Sequence, residues 1–119
     1  MWKAWRAAAR GIIAAWRTER HLKVHSVAAV VVIGLGWKLR VSGVEWAILT
    51  LAMGMVLAAE YANSGLERLA DRVSTERHPL IRDAKDFAAA AVLVAAIAAA
   101  AVGLLILGPK LWIYLFDNQ

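Results

Sequence analysis

Glu60, Asn63, Glu67 and Asp71 follow one another at i, i+3, i+7 and i+11, and Ser64 stands beside them. At about 100° per residue the first four fall within an arc of roughly 80° on a helix, so they form one polar stripe that Ser64 joins. The stripe begins directly behind "WAILTLAMGMVLAA", the uncharged run from Trp46 to Ala59. Carboxylates placed there stand near a hydrocarbon boundary. An ionised side chain costs ~2.5–3.5 kcal/mol at a bilayer centre and less toward its edge. Such groups need a cation, a partner or a chemical task. Oxygen ligands of this type suit Mg²⁺, which takes one or two carboxylates together with substrate phosphates. A carboxylate at a membrane edge, with burial favouring its protonated form, can also accept a proton from a lipid hydroxyl.

Two further clusters belong at the same level. "RTERH" holds Glu19 among Arg17, Arg20 and His21, and "RDAKD" holds Arg82, Asp83, Lys85 and Asp86. Lys and Arg are phosphate-binding groups. Acids for a metal, bases for phosphates and a carboxylate at the oil–water boundary together favour phosphoryl transfer from a metal-bound nucleotide to a lipid alcohol. Two other classes remain open on the residues alone. The stripe could be a polar network that specifies oligomerisation in a membrane assembly protein. It could also belong to an ion- or proton-conducting bundle, although nothing comparable lines the other half of the membrane. Taken singly, Arg82 and Asp83 read as a solvated helix start. Arg68 and Arg72 read as phosphate or headgroup anchors, His25 as a satisfied interfacial histidine and Glu45 as structural. Neither a Gly-x-x-x-x-Gly-Lys loop nor a Gly-x-Gly-x-x-Gly turn is present, so a nucleotide would bind without a standard nucleotide fold.

The elements that must position these groups are helices in a membrane. The chain has 119 residues, 61% of them hydrophobic, with a net charge of +5 and no cysteine. A soluble domain of this size would struggle to cover that much apolar surface. Without cysteine, disulfides, thiolate metal sites and thiol nucleophiles are excluded. The basic residues flank apolar runs, so an anionic bilayer surface rather than nucleic acid is the expected partner. Residues 1–22 interleave Trp2, Trp5, Ile12, Ile13 and Trp16 with Lys3, Arg6, Arg10 and Arg17 at helical spacing, as an amphipathic interfacial helix does. No long apolar core marks them as a cleavable signal peptide. Spans are expected over 24–40, 44–66 and 84–108, inside a single domain covering 1–119. "KLRVSGVE" breaks the first two spans with Ser-Gly as the turn signal. "VSTERHPLIRD" forms a polar connection broken at Pro79, and "GPK" ends the alanine-rich third span. Six Lys and Arg precede the first span and five lie between the second and third, against two and one on the opposite side. By the positive-inside rule the N-terminus and the acidic stripe face the cytoplasm.

Two motifs carry a resemblance. "AEYANSGLERLAD" resembles the E-x-x-N-[ST]-A-x-E-x-x-x-D signature of the prokaryotic diacylglycerol kinase family, and "HPLIRDAKDFAAAAVL" looks like its second signature. "GIIAAWRTER" before the first span also fits, so the likeness extends from about Arg10 to Leu111 in order and spacing. It implies an all-α membrane protein: an interfacial helix and three transmembrane helices, assembled as a homotrimer with shared active sites. The expected location is the bacterial inner (cytoplasmic) membrane, with a multi-pass topology and an active site open to the cytoplasm. The implied activity is an ATP- and Mg²⁺-dependent lipid kinase. On the matching positions Glu60 is then the general base and Asn63 orients the reacting groups. Glu19 and Glu67 hold Mg²⁺ and, through it, the ATP phosphates. Lys85, Asp86, Glu76, Arg77 and His78 bind the nucleotide, and Ser64 and Asp71 support the polar stripe.

The chain departs from the family pattern at Gly65-Leu66, where Ala-Ile is usual, and at Tyr61, where an aliphatic residue is usual. A helical glycine costs about 1 kcal/mol relative to alanine, and at Gly65 it would permit a closer helix contact. "TERHLKVH", "VEWAIL" and "GPKL" look more like the undecaprenol kinase branch of the family than the diacylglycerol kinase branch. Undecaprenol is therefore the expected acceptor, with diacylglycerol the alternative.

Overall fold

A single break near the N-terminus sets the first two helices at an angle. Helix α1 runs over Trp2–Thr18 and helix α2 over Arg20–Lys38, with Glu19 between them in an extended conformation (φ −104°, ψ 115°). The interfacial helix expected over 1–22 therefore ends at Thr18, and the helix expected over 24–40 begins four residues earlier, at Arg20. Glu19 is not on a helix face but at the elbow. The computed structural model describes residues 1–73, 76 and 78–117.

Helix α3 follows over Gly43–Val73 and helix α4 over Pro79–Trp112, with a π-helical turn over Ile113–Asp117 closing the described chain. Both long helices overrun the spans expected over 44–66 and 84–108. The turn between α2 and α3 lies one step before the expected Ser-Gly. Arg40 takes the left-handed conformation (φ 56°). Its N–H donates to the Trp37 carbonyl and that of Val41 to the Gly36 carbonyl, which is the Schellman arrangement with arginine where glycine is usual. Ser42 and Glu45 then form a capping box. The Glu45 N–H donates to Ser42 Oγ at 3.1 Å, and the Ser42 N–H donates to Glu45 Oε1 at 2.8 Å, satisfying two of the orphan donors at the start of α3. Glu45 also pairs with Lys110 of α4 at 3.3 Å, so it is structural, as its position suggests.

Pro79 begins α4 rather than breaking the connection. Proline at a first helical position forfeits no hydrogen bond and already has the required φ, and His78 Nδ1 accepts from the Leu80 N–H at 3.1 Å as the cap. Nor does Pro109 end the helix; it lies inside α4. Its missing N–H removes one bond near the helix end, and the register relaxes into the wider π turn a few residues later.

Packing follows one rhythm. On α3, positions 49, 53, 56, 60, 64 and 67 are buried or half-buried; on α4, positions 81, 85, 88, 92, 95, 99, 102 and 106; on α2, positions 22, 25, 29, 32 and 36. Alternating steps of three and four are the spacing of a coiled-coil-like seam. The α3–α4 pairing is the most extensive in the chain. The apolar core gathers at the α2–α3 turn, where Val41, Leu49 and Leu107 are buried and Trp46, Leu35 and Ile106 pack around them. Gly36 is required there: a Cβ on it would meet Trp46 Cη2 at 2.7 Å. Among the described residues, α3 and the stretch Pro79–Asp117 are long and apolar enough to cross a membrane, against the three spans expected.

Candidate active site

The polar stripe is the continuation of the α3 seam. Leu49, Val56, Glu60 and Ser64 are all buried, so the face that packs in one half of the helix becomes the face that carries chemistry in the other. Exposure then rises along the stripe. Glu60 is 5% exposed, Asn63 and Glu67 are half-buried, and Asp71 is exposed. A gradient of this kind runs from oil toward water.

Each neighbouring element brings one partner. From the α2 seam, His25 Nε2 approaches Glu60 Oε1 to 3.0 Å. From the α4 seam, Lys85 Nζ donates to Asp71 Oδ1 at 2.6 Å, and it feels the charge of Glu67. At the elbow, Arg68 Nη2 donates to Thr18 Oγ1 at 2.7 Å and lies 3.4 Å from Glu19 Oε1. The Thr18 hydroxyl in turn donates a hydrogen bond to the Ala14 carbonyl at 2.9 Å. Arg68 is thus a tether between α3 and the α1–α2 elbow.

The remaining expected residues divide. Asp86 is exposed one position off the α4 seam, and no hydrogen bond ties it to the stripe. Glu76 lies outside the helices; His78 caps α4. Arg77 falls outside the described residues. Glu19, Glu60 and Glu67 all avoid the exposed surface. One participant, Thr18, escaped the sequence reading, and so did the partner of His25, which was expected as a satisfied interfacial histidine and meets Glu60. His25 sits in an apolar run whose periodicity has no contrast, yet it is spaced three and four residues from Leu22 and Ala29 on the seam. Thr18 carries no signal of its own. Gly65 offers no closer contact within the chain, because a Cβ on it would meet nothing within 4 Å.

Two grooves lie beside the stripe, one bordered by His25, the partner of Glu60, and the other by Ser64. One, of about 220 Å³, lies between α2, α3 and α4 and is lined by alanines, Val32, Leu49, Met53 and Val56, with His25 in its wall. The other, of about 340 Å³, lies between α1 and α3 and is lined by Gly11, Ile12, Tyr61, Ser64, Gly65 and Arg68. The first suits an apolar chain and the second suits a more polar group.

A divalent cation would have to be held by few protein ligands. Among the described residues no cluster of three or more His, Asp or Glu side chains could hold a metal. Mg²⁺ does not need one, since it uses one or two carboxylates, waters and substrate phosphates. Glu67 makes no hydrogen bond or ion pair among the described residues, and Asn63 Oδ1 is buried with no donor. An orphaned buried carbonyl oxygen costs about 1–3 kcal/mol, and a hydrated cation or a substrate donor would satisfy it. The residues present fit the ion.

A profile of the prokaryotic diacylglycerol kinase family matches residues 6–107. The chain belongs to the prokaryotic diacylglycerol kinase family. Among its relatives, an undecaprenol kinase of Bacillus subtilis is 40% identical over 87% of this chain and 85% of that protein. A diacylglycerol kinase of Synechocystis is 38% identical over 91% of this chain and 62% of that protein. A diacylglycerol kinase of Pseudomonas aeruginosa is 40% identical over 71% of this chain and 69% of that protein. The match takes in α1 from Arg6, the elbow, the seams of α2, α3 and α4 and the polar stripe, so the groups described above all lie inside the family domain.

Proposed function

We propose that this chain is an ATP- and Mg²⁺-dependent kinase of the bacterial cytoplasmic membrane that phosphorylates the primary hydroxyl of undecaprenol. The observation that carries the reading is the buried carboxylate of Glu60, on a helix face that is apolar on one side and increasingly polar on the other. That is where an alcohol held in oil and a nucleotide held in water can meet.

In this reading Glu60 takes the alcohol proton as the alcohol oxygen bonds to the γ-phosphorus. The bond from that phosphorus to the β–γ bridging oxygen breaks, and ADP leaves with the electron pair. Asn63 orients the reacting groups. Glu19 and Glu67 hold the cation, which neutralises phosphate charge when bound. Lys85 serves the phosphates and gives up Asp71 to do so. Asp86, Glu76, Arg77 and His78 form the nucleotide side. Undecaprenol is favoured because the undecaprenol kinase match covers the largest share of its relative. Diacylglycerol is the second reading, favoured by the Synechocystis and Pseudomonas relatives.

The membrane arrangement belongs to the same proposal. Helix α2 crosses as a third span: its 19 residues reach about 28 Å at ~1.5 Å per residue. Its end lysines rest on aromatic rings, Lys23 over Trp16 and Lys38 over Tyr114, each at 5.4 Å, as snorkelling cations do. Helix α1 lies in the interface, with Trp2, Trp5, Ile12 and Ile13 exposed. The chain exposes 9145 Å², whereas a compact monomer of its mass would expose roughly 6,300 Å². The surplus is covered by lipid and by neighbouring copies in a homotrimer with shared sites.

The test is phosphate transfer from labelled ATP with Mg²⁺, in detergent micelles containing undecaprenol or diacylglycerol side by side. Transfer to undecaprenol at the higher kcat/KM supports the reading. A preference for diacylglycerol replaces the acceptor, and transfer to neither by intact oligomers overturns the activity.

A further inference from the structure

We infer that His25 is a positioning residue for the transfer. Its Nε2 holds one oxygen of the Glu60 carboxylate and leaves the other as the proton acceptor for the alcohol. The inference rests on the lipid-kinase reading above and adds to it a residue from a different helix.

The geometry is specific. Glu60 is buried on α3, and His25 is half-buried on α2 with its Nε2 3.0 Å from Glu60 Oε1. Whether the ring is neutral or charged, a proton on Nε2 makes it the donor. No other side chain among the described residues donates to Glu60. The cations that could compete are engaged: Arg68 with Thr18 and Glu19, Lys85 with Asp71. The orphaned atom of Asn63 is an acceptor, so it cannot hold a carboxylate. The backbones on either side are held by packing, because Leu22 and Gly36 are buried on the α2 seam and Val56 and Ser64 on the α3 seam. A carboxylate turned by a fixed donor is better placed to take a proton than a freely rotating one, because misplacement of a reacting group by about 1 Å can cost 10²-fold in rate.

His25 also lines the apolar groove between α2, α3 and α4. An apolar chain lying in that groove would bring its terminal alcohol to the His25–Glu60 pair. The ring therefore stands between the site that recognises the chain and the atom that takes the proton. The proton in each turnover passes from the alcohol oxygen to Glu60, and His25 keeps its own.

The test compares His25→Leu, His25→Gln and His25→Asn with the wild type, in the two-lipid assay described above. Glutamine carries an amide N–H at about the reach of Nε2, and asparagine stops near Nδ1. His25→Leu and His25→Asn should lose about 10–100-fold in kcat, the range seen when the partner that orients a functional group is removed. KM for ATP should stay within about twofold, because uniform binding is untouched. His25→Gln should recover most of kcat. Glutamine and asparagine differ little in polarity, so a difference between them reports reach rather than folding, even if the leucine variant is poorly assembled. Wild-type kcat in His25→Asn would overturn the inference, as would equal losses in the glutamine and asparagine variants. If the wild type transfers phosphate and Glu60→Gln does not, such a result sinks His25 alone. If the wild type transfers nothing, the kinase reading falls and this inference falls with it.

Discussion

Replacing Glu60 by glutamine separates chemistry from architecture. Glu60 is 5% exposed, and its one polar partner among the described residues is the His25 ring at 3.0 Å. Glutamine has the same shape and nearly the same volume, and its amide oxygen can still accept from His25 Nε2. What it lacks is the capacity to take a proton. A general base contributes about 10²–10⁴ in rate, which is ~2.7–5.5 kcal/mol of barrier. The effect on stability has the opposite sign, because a buried charge is replaced by a neutral group and the desolvation cost is relieved. Labelled-ATP transfer at saturating lipid and nucleotide measures the first quantity, and thermal unfolding of the same preparation measures the second. The expected result is a loss of two decades or more in kcat with an unchanged or raised melting midpoint. A variant that keeps more than about a tenth of wild-type kcat refutes the assignment of Glu60 as base. A variant that loses activity only because it no longer assembles refutes the claim that the side chain serves chemistry rather than assembly.

Gly36→Ala and Gly65→Ala should move stability in opposite directions in thermal unfolding. The first drives a Cβ to 2.7 Å from Trp46 and costs about 1–3 kcal/mol of overpacking; the second meets nothing and gains about 1 kcal/mol of helix propensity. Arg68→Ala removes the bond to Thr18 and the pairing with Glu19. Amide exchange over Trp2–Thr18 should quicken about tenfold, as loss of a charge-assisted hydrogen bond predicts, while α4 is unaffected. Chelation of Mg²⁺ should abolish transfer. Glu19→Gln and Glu67→Gln should each raise the Mg²⁺ concentration for half-maximal rate by at least the ~10–100-fold typical of a lost outer partner; an unchanged requirement removes that residue from the cation site.

The helices were legible because composition forces them: a chain this apolar, without cysteine, has few other ways to satisfy its backbone in lipid. The stripe was legible because carboxylates stand out against "WAILTLAMGMVLAA". The breaks were harder to place. Nothing in "RTERH" is a helix breaker, and the elbow at Glu19 follows from the Arg68 tether and the change of packing partner, both long-range facts. The turn at Arg40 was masked by the Ser-Gly beside it, although Ser42 and Glu45 have capping-box spacing that could have fixed the start of α3. Pro109 misled because proline near a helix end loses only one bond, which a π turn can absorb. The pairing of His25 with Glu60 was hidden for a different reason. When nearly every residue of a helix is apolar, periodicity cannot say which face packs, and so it cannot say which ionisable side chain meets a partner.

A membrane kinase has to bring together two substrates that share no solvent, and the α3 seam meets that requirement without a separate nucleotide domain. The three-and-four spacing that buries Leu49 and Val56 also turns Glu60, Ser64 and Glu67 into the bundle. Reactive groups placed by helix packing need no loop to hold them, and sites built on rigid elements keep their geometry better than sites on loops. The arrangement also has a cost. Every seam position given to a carboxylate or serine is one that no longer buries an aliphatic side chain, and each such burial is worth about 1.5–3 kcal/mol. Among the described residues the cluster of buried apolar side chains accordingly sits at the α2–α3 turn end, while Leu22 and Ala70 are buried outside it. The active end is held instead by polar ties: His25 to Glu60, Lys85 to Asp71 and Arg68 to Thr18 and Glu19. Two of those ties, at Lys85 and at Glu19, involve groups that the nucleotide and its cation would claim in the proposed mechanism. Substrate binding would therefore loosen the contacts that hold the empty site together and replace them with its own. In that arrangement the end of the bundle that does chemistry is also the end whose order depends on its ligands.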